Sequence, residues 1–166
     1  MFSKVYTSAL MGIDAYPVEV EIDIRPGLPN FNIVGLPDTA VKEAKERVTA
    51  AIKNSQFNFP QQRITVNLAP ADIKKEGTSF DLPIAIGILK ATGAIENNEI
   101  SKFILLGELA LDGGIRKVNG VLSIALEAKK REKRGILLPY DNAREASVVQ
   151  DINIFPLESL SQAVQF

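Results

Sequence analysis

Residues 16–25, YPVEVEIDIR, alternate without a break, with Val18, Val20, Ile22 and Ile24 set against Glu19, Glu21, Asp23 and Arg25. Period-two alternation turns one face to a core and the other to water, so the segment is predicted to be a strand. Lys4 to Met11 is its expected partner, Pro26 to Asn30 a turn, and Phe31 to Val34 a short strand. The spacing then becomes helical. Val41, Ala44, Val48, Ala51 and Ile52 share one face and Lys42, Glu43, Lys45, Glu46 and Arg47 the other. This predicts a helix from about Thr39 to Asn54, with Asp38 as N-cap.

Beyond Pro60, Arg63 to Leu68 alternates again and reads as a strand. In KEGTSFDLPIAIGIL, residues 75–89, the apolar side chains from Leu82 to Leu89 surround the helix axis, which predicts burial on several sides. Pro83 suits a first helical turn and Gly93 a stop. Residues 103–111 read as a central strand, Asp112-Gly113-Gly114 as a turn, and Ile115 to Val118 as a return strand. A helix is expected from Gly120 to about Lys133, then a buried strand at 135–139, a helix at 142–149, a strand at 152–155 and a closing helix at 157–164. The succession implies an α+β fold, one domain with helices against a mixed sheet.

Composition narrows the chemistry. The 166 residues are 46% hydrophobic and 23% charged, enough for a sizeable core. With 19 basic and 20 acidic residues the formal charge is −1, so bulk charge does not point to nucleic acid. No cysteine, histidine or tryptophan occurs, which excludes thiol nucleophiles, cysteine zinc sites and histidine-based triads. Apolar runs fall short of the roughly 20 residues that span a bilayer. The N-terminus lacks a signal-peptide layout, so a cytoplasmic location and no membrane partner are expected.

Phosphate-cradling motifs of the type G-x-x-x-x-G-K-[ST] are missing, so ATP hydrolysis is not expected of these residues. The carboxylates have no metal-ligand spacing, and no metal site is expected. Ser79, at a helix start, has one property of a Ser-Lys nucleophile; alternatively Ser79 or Asp81 simply caps the helix. Lys117 is the nearest candidate base, on a turn where its amine would be solvated and protonated. The run Lys129, Lys130, Arg131, Glu132, Lys133, Arg134 places five cations at a helix end. Solvation and the helix dipole account for it, or, with Lys74 and Lys75, it forms a phosphate-contacting patch for DNA.

The words GLPDTAVKEAKERVTAAI, RITVNLAPADIKKEGTSFDLPIAIGIL and GELALDGGIRKVNGVL carry a family resemblance. Over nearly its full length the chain resembles the N-terminal domain of the ComM/YifB family, the magnesium-chelatase-related ring ATPases. The resemblance implies a fold like the Lon protease domain and domain 2 of ribosomal protein S5. It also implies a C-terminal AAA+ ATPase domain outside these residues, binding ATP and Mg²⁺, while this part needs no cofactor. The implied partners are that ATPase domain, neighbouring subunits of a hexamer, and DNA. The ComM branch acts as a DNA branch-migration helicase in natural transformation.

Lon-type proteases carry K-D-G-P-S-A-G-I-A-M around the nucleophile. Matching the helix register places Asp81 at the serine position, whereas matching the turn places Ser79 there. The lysine position, two residues beyond a glycine pair matched by Asn119-Gly120, falls on Leu122, which cannot accept a proton. The resemblance therefore implies a degenerate dyad and no catalysis in this part. A divergent Ser-Lys peptidase using Ser79 and Lys117, and a stand-alone nucleic-acid module, are the alternatives.

Overall fold

The computed structural model describes all of residues 1–166. The chain opens with a long hairpin, β1 (Phe2–Met11) and β2 (Asp14–Arg25), paired antiparallel from Phe2↔Asp23 to Met11↔Asp14. The alternation in β2 is realised as read: Val18, Val20, Ile22 and Ile24 are all buried. β3 (Asn30–Val34) follows, then two helices rather than one, α1 (Thr39–Lys42) and α2 (Ala44–Asn54). At the break the Ala40 carbonyl accepts from Arg47 Nη2 at 2.9 Å, and the Glu46 N–H reaches back only three residues, to Glu43. Asp38 is the N-cap, its Oδ1 accepting from the Val41 N–H at 2.8 Å.

β4 (Arg63–Ala69) buries Ile64, Val66 and Leu68, and α3 (Asp81–Ala91) is buried from Asp81 through Leu89. α3 lies so close to the sheet that a Cβ on Gly87 would stand 2.6 Å from Ile22 Cγ1. The Ser3 hydroxyl donates to the Gly87 carbonyl at 2.6 Å across the same contact.

The expected 103–111 strand is two strands in different sheets. β5 (Phe103–Leu105) joins the main sheet, whereas β6 (Glu108–Leu109) pairs with β7 (Ile115–Arg116) in a separate two-stranded ribbon. The Leu106 N–H still bonds Leu137 of the main sheet, and the chain leaves that sheet at Gly107, whose N–H bonds Ser79. α4 (Val121–Lys130) stops before Lys133 because Glu132 adopts a left-handed φ of 57°, while the Lys133 N–H closes on the Ala128 carbonyl. β8 (Gly135–Pro139), a one-turn α5 (Ala143–Ala146), β9 (Asn153–Leu157) and α6 (Leu160–Gln165) complete the chain. The last helix begins later than expected, capped by Ser159 after β9 has run through Leu157.

The seven-stranded sheet has the order β3-β4-β2-β1-β5-β8-β9. β2 runs antiparallel to both β1 and β4, whereas β3 pairs parallel with β4, and β1, β5, β8 and β9 run parallel to one another. β5 and β8 are buried along their whole length, as parallel strands covered on both faces must be. One core lies between the sheet and α2, α3 and α6. A second, around Ile104, Ile136 and Leu138, is closed by α4 through Val121, Ile124, Ala125 and Ala128. The join between the two halves is narrow, for β1 meets β5 at one position only, Tyr6↔Ile104. No helix is long and apolar enough to cross a membrane.

Candidate functional site

Beyond that join, β1 continues while β5 ends, and a cavity of about 580 Å³ opens. One wall is the end of β1, Ser8 to Leu10. Opposite it stand the turn Glu76 to Ser79 ahead of α3, Glu108 at the start of β6, and the loop Lys117 to Asn119 ahead of α4.

The turn before α3 is fixed from several sides. The Lys75 N–H bonds the Leu36 carbonyl and the Asp38 N–H bonds the Lys75 carbonyl, both at 2.9 Å. Asp38 Oδ2 accepts from the Gly77 N–H at 3.3 Å. The Lys75 side chain runs inward, 0% exposed, and its ammonium donates to the carbonyls of Gly35, at 2.8 Å, and Pro70. Burial pushes the pKa of this amine below the ordinary lysine value. Lys75 therefore presents no charge to solvent and is removed from the proposed DNA-contact set.

Asp81 is not a helix cap. Its side chain, 1% exposed, receives Arg47 Nε on Oδ2 at 2.6 Å and Arg47 Nη2 on Oδ1 at 3.0 Å. The Leu109 N–H also donates to Oδ2, at 3.0 Å. Burial pushes the Asp81 carboxyl pKa up, while Arg47 and the Leu109 N–H pull it back. The bond to Asp81 in turn raises the Arg47 guanidinium. Phe80 occupies the N-cap position, with no side-chain cap bond. Ser79, on the other hand, lines the cavity, its carbonyl held by the Gly107 N–H at 3.1 Å.

Lys117 lines the same cavity, so the structure brings Ser79 and Lys117 onto one concave surface. No hydrogen bond joins them, and Lys117 enters none of the ion pairs. The Lys117 loop is held by buried Asn142, whose Oδ1 accepts from the Val118 N–H and whose Nδ2 donates to the Val118 carbonyl, both at 2.9 Å. Leu122 is 40% exposed in the first turn of α4 and is not among the residues lining the cavity. Periodicity set Arg47 on the outer, polar face of its helix, where the structure instead turns it inward onto Asp81, and Asn142 gave no functional signal in sequence. Ser8, whose buried hydroxyl has no partner, gave no signal either.

The basic run is largely paired off. Lys129 lies 3.8 Å from Asp151, Arg131 is 2.9 Å from Glu127, and Arg134 is 2.6 Å from Glu99. The Lys133 ammonium sits 3.8 Å from the centre of the Tyr6 ring and donates to the Ser101 carbonyl at 3.2 Å. Burial, reinforced by Arg131, lowers the pKa of its amine. Lys74 stays exposed, 3.3 Å from Glu76, and Lys130 is exposed without an ion pair. No group of three or more carboxylates gathers to hold a metal ion.

Comparison with known proteins places this architecture. Residues 20–142 match the family described as subunit ChlI of Mg-chelatase. The chain is 48% identical to Competence protein ComM of Haemophilus influenzae over 98% of its own length and 32% of the relative's. It is 46% identical to Uncharacterized protein YifB of Escherichia coli, over 89% of the chain and 29% of the relative. An uncharacterized protein of Mycobacterium bovis is 38% identical over 96% of the chain and 32% of its own length. The chain thus spans about a third of the length of the curated relatives it matches. It belongs to the family of subunit ChlI of Mg-chelatase, with ComM and YifB proteins among its relatives.

Proposed function

We propose that these residues form the non-catalytic N-terminal domain of a ComM-like AAA+ ATPase, with a fold like that of the Lon protease domain and ribosomal protein S5 domain 2. The domain serves assembly and interaction within a ring that drives DNA branch migration. The observation that carries the reading is the fate of the two positions matched to the protease dyad. Asp81 is locked onto Arg47 beneath the surface, and Leu122 is an apolar residue on the outside of α4. Neither offers a nucleophile or a base to the cavity. ATP and Mg²⁺ chemistry belongs to the ATPase domain; the residues here have no phosphate loop and no carboxylate cluster to hold either.

Protein interaction is favoured over DNA contact because most of the basic run is spent on carboxylates, a carbonyl and the Tyr6 ring. The test compares the full-length protein with a form lacking residues 1–166, measuring hexamer formation, ATP hydrolysis and branch migration. The reading expects loss in at least one. Equal performance in all three would sink it.

One observation favours a second reading, a divergent Ser-Lys peptidase: Ser79 and Lys117 share the cavity wall. It requires the lysine amine to close to about 3 Å from the serine hydroxyl when substrate binds. Cleavage of a fluorogenic casein by wild type, abolished in both Ser79→Ala and Lys117→Ala, would establish it. Absence of cleavage by wild type would reject it.

A further inference from the structure

We infer that two copies of this chain pair through the outer face of α4 and the tip of the β1–β2 hairpin, about a two-fold axis that sets Asp14 of each copy beside Lys130 of the other. The inference goes beyond the ring role proposed above, since a two-fold contact joins copies of these residues without an ATPase domain.

An apolar surface in an unusual place supplies the first argument. The hairpin turns through Gly12 and Ile13, and Gly12, at φ 64°, provides the positive φ that such a turn requires. Asn, Asp, Ser and Gly are the usual residues of hairpin turns, yet Ile13 stands at this tip 88% exposed. On α4, Leu122 and Leu126 lie one turn apart and both are exposed, on the side away from the second core. Hairpin and helix are neighbours. Ile13 and Leu126 line one shallow depression of about 280 Å³. The Leu10 side chain, itself partly exposed, packs so closely on the start of α4 that a Cβ on Gly120 would run into its Cδ1. Apolar residues scattered singly over a surface need no explanation, whereas a contiguous patch drawn from two elements marks an interaction surface.

The charges around the patch identify what covers it. Asp14 and Lys130 line the same depression, both are exposed, and neither enters an ion pair. They stand at diagonal corners. Asp14 pairs with Met11 directly beside the hairpin tip. The helix starts against Leu10, near that tip, and its far end leads to Lys133, whose ammonium lies over the Tyr6 ring, so Lys130 is at the end away from the tip. A two-fold axis through the depression carries each corner onto the opposite one. It brings the carboxylate of one copy to the ammonium of the other, twice, and closes Ile13 and Leu126 of both copies between the two pairs.

A surface joined to its own copy about a two-fold must be complementary to itself, and one unpaired charge of each sign at diagonal corners meets that condition. A partner of a single sign would satisfy one corner and oppose the other. The apolar centre is small and its rim is polar, so the contact falls at the lower end of specific interfaces and its dissociation constant is expected in the micromolar range. The two ion pairs lie on the rim, where they choose the partner and its orientation more than they add affinity.

Sedimentation equilibrium of the 166-residue chain, from micromolar to millimolar concentration, tests this. A monomer–dimer equilibrium is expected. Leu126→Asp, at a solvent-facing position, should weaken the dimer about tenfold or more. Asp14→Lys and Lys130→Glu place like charges at both corners, and each variant should self-associate about fivefold more weakly than wild type. An equimolar mixture of those two variants should pair as tightly as wild type, because a mixed dimer regains both ion pairs. That recovery also shows that each variant folds. A monomer at every concentration, a dimer indifferent to Leu126→Asp, or a mixture no tighter than its components would overturn the inference. None of these outcomes touches the ring role, which is judged by the form lacking residues 1–166.

Discussion

Arg47 reaches from α2 to the first residue of α3 and takes both carboxylate oxygens of Asp81, at 2.6 and 3.0 Å. The pair ties together α2, α3 and, through the Leu109 N–H, the β6 strand beside the cavity. Removing one partner leaves the other buried and uncompensated. Arg47→Met or Asp81→Leu alone should cost about 3–5 kcal/mol in urea denaturation. The double variant should recover most of that loss, because the desolvation cost of both charges goes with them. A double variant no better than the singles would contradict this account.

Lys75 supplies a pH-dependent test. Substitution by methionine leaves the Gly35 and Pro70 carbonyls without their donor and should cost about 1–3 kcal/mol near neutrality. The folded-state pKa of the amine lies below the ordinary 10.5. Between these two values the unfolded chain holds more protons, so stability rises with pH as the penalty on the buried charge is relieved. The advantage of wild type over Lys75→Met should therefore widen as pH climbs from neutrality toward 10.5. A gap that narrows in paired urea titrations would show the lysine to be held as a favoured cation instead.

Asn142 gives a local readout. Asn142→Ala removes both partners of the Val118 main chain and should cost about 2 kcal/mol, close to 1 kcal/mol per bond. Hydrogen exchange at the Val118 amide should accelerate well beyond the global change, because the Lys117 loop loses its brace. Uniform acceleration across the chain would place the effect elsewhere.

Gly87→Ala tests the closeness of α3 to the sheet. Alanine is the better helix former, yet its Cβ would stand 2.6 Å from Ile22 Cγ1. Overpacking of this kind costs about 1–3 kcal/mol, which should exceed the propensity gain and lower the Tm. The paired variant Gly87→Ala with Ile22→Val should regain part of the loss by clearing the contact.

The features legible in sequence are those set by local periodicity. The alternation in β2, the Asp38 cap and the all-round burial of α3 follow from residue spacing, and the structure has each. The split of residues 103–111 between two sheets is invisible there, because Gly107 leaves the main sheet through a bond to Ser79, more than 25 residues away. Asp81 and Lys75 misled for a related reason. A carboxylate at a helix start and a lysine in a polar turn look solvated until Arg47 and the Gly35 carbonyl arrive from elsewhere in the chain. The cavity itself is a product of strand lengths, ten residues in β1 against three in β5, and no motif encodes that inequality.

The single Tyr6–Ile104 bridge also orders events during synthesis. The four strands β1 to β4 of the first half lie within the first 69 residues, and α3, which packs on β1 and β2, ends at Ala91. A nascent chain can close that half before β5 has left the ribosome, with little to undo when the parallel strands arrive. During that interval the whole outer edge of β1 is bare, from Phe2 to Leu10. The later strands reach it only at Tyr6, and only after the 14 residues from the end of α3 at Ala91 to the end of β5 at Leu105 have been added, so until then that edge is open to other nascent chains.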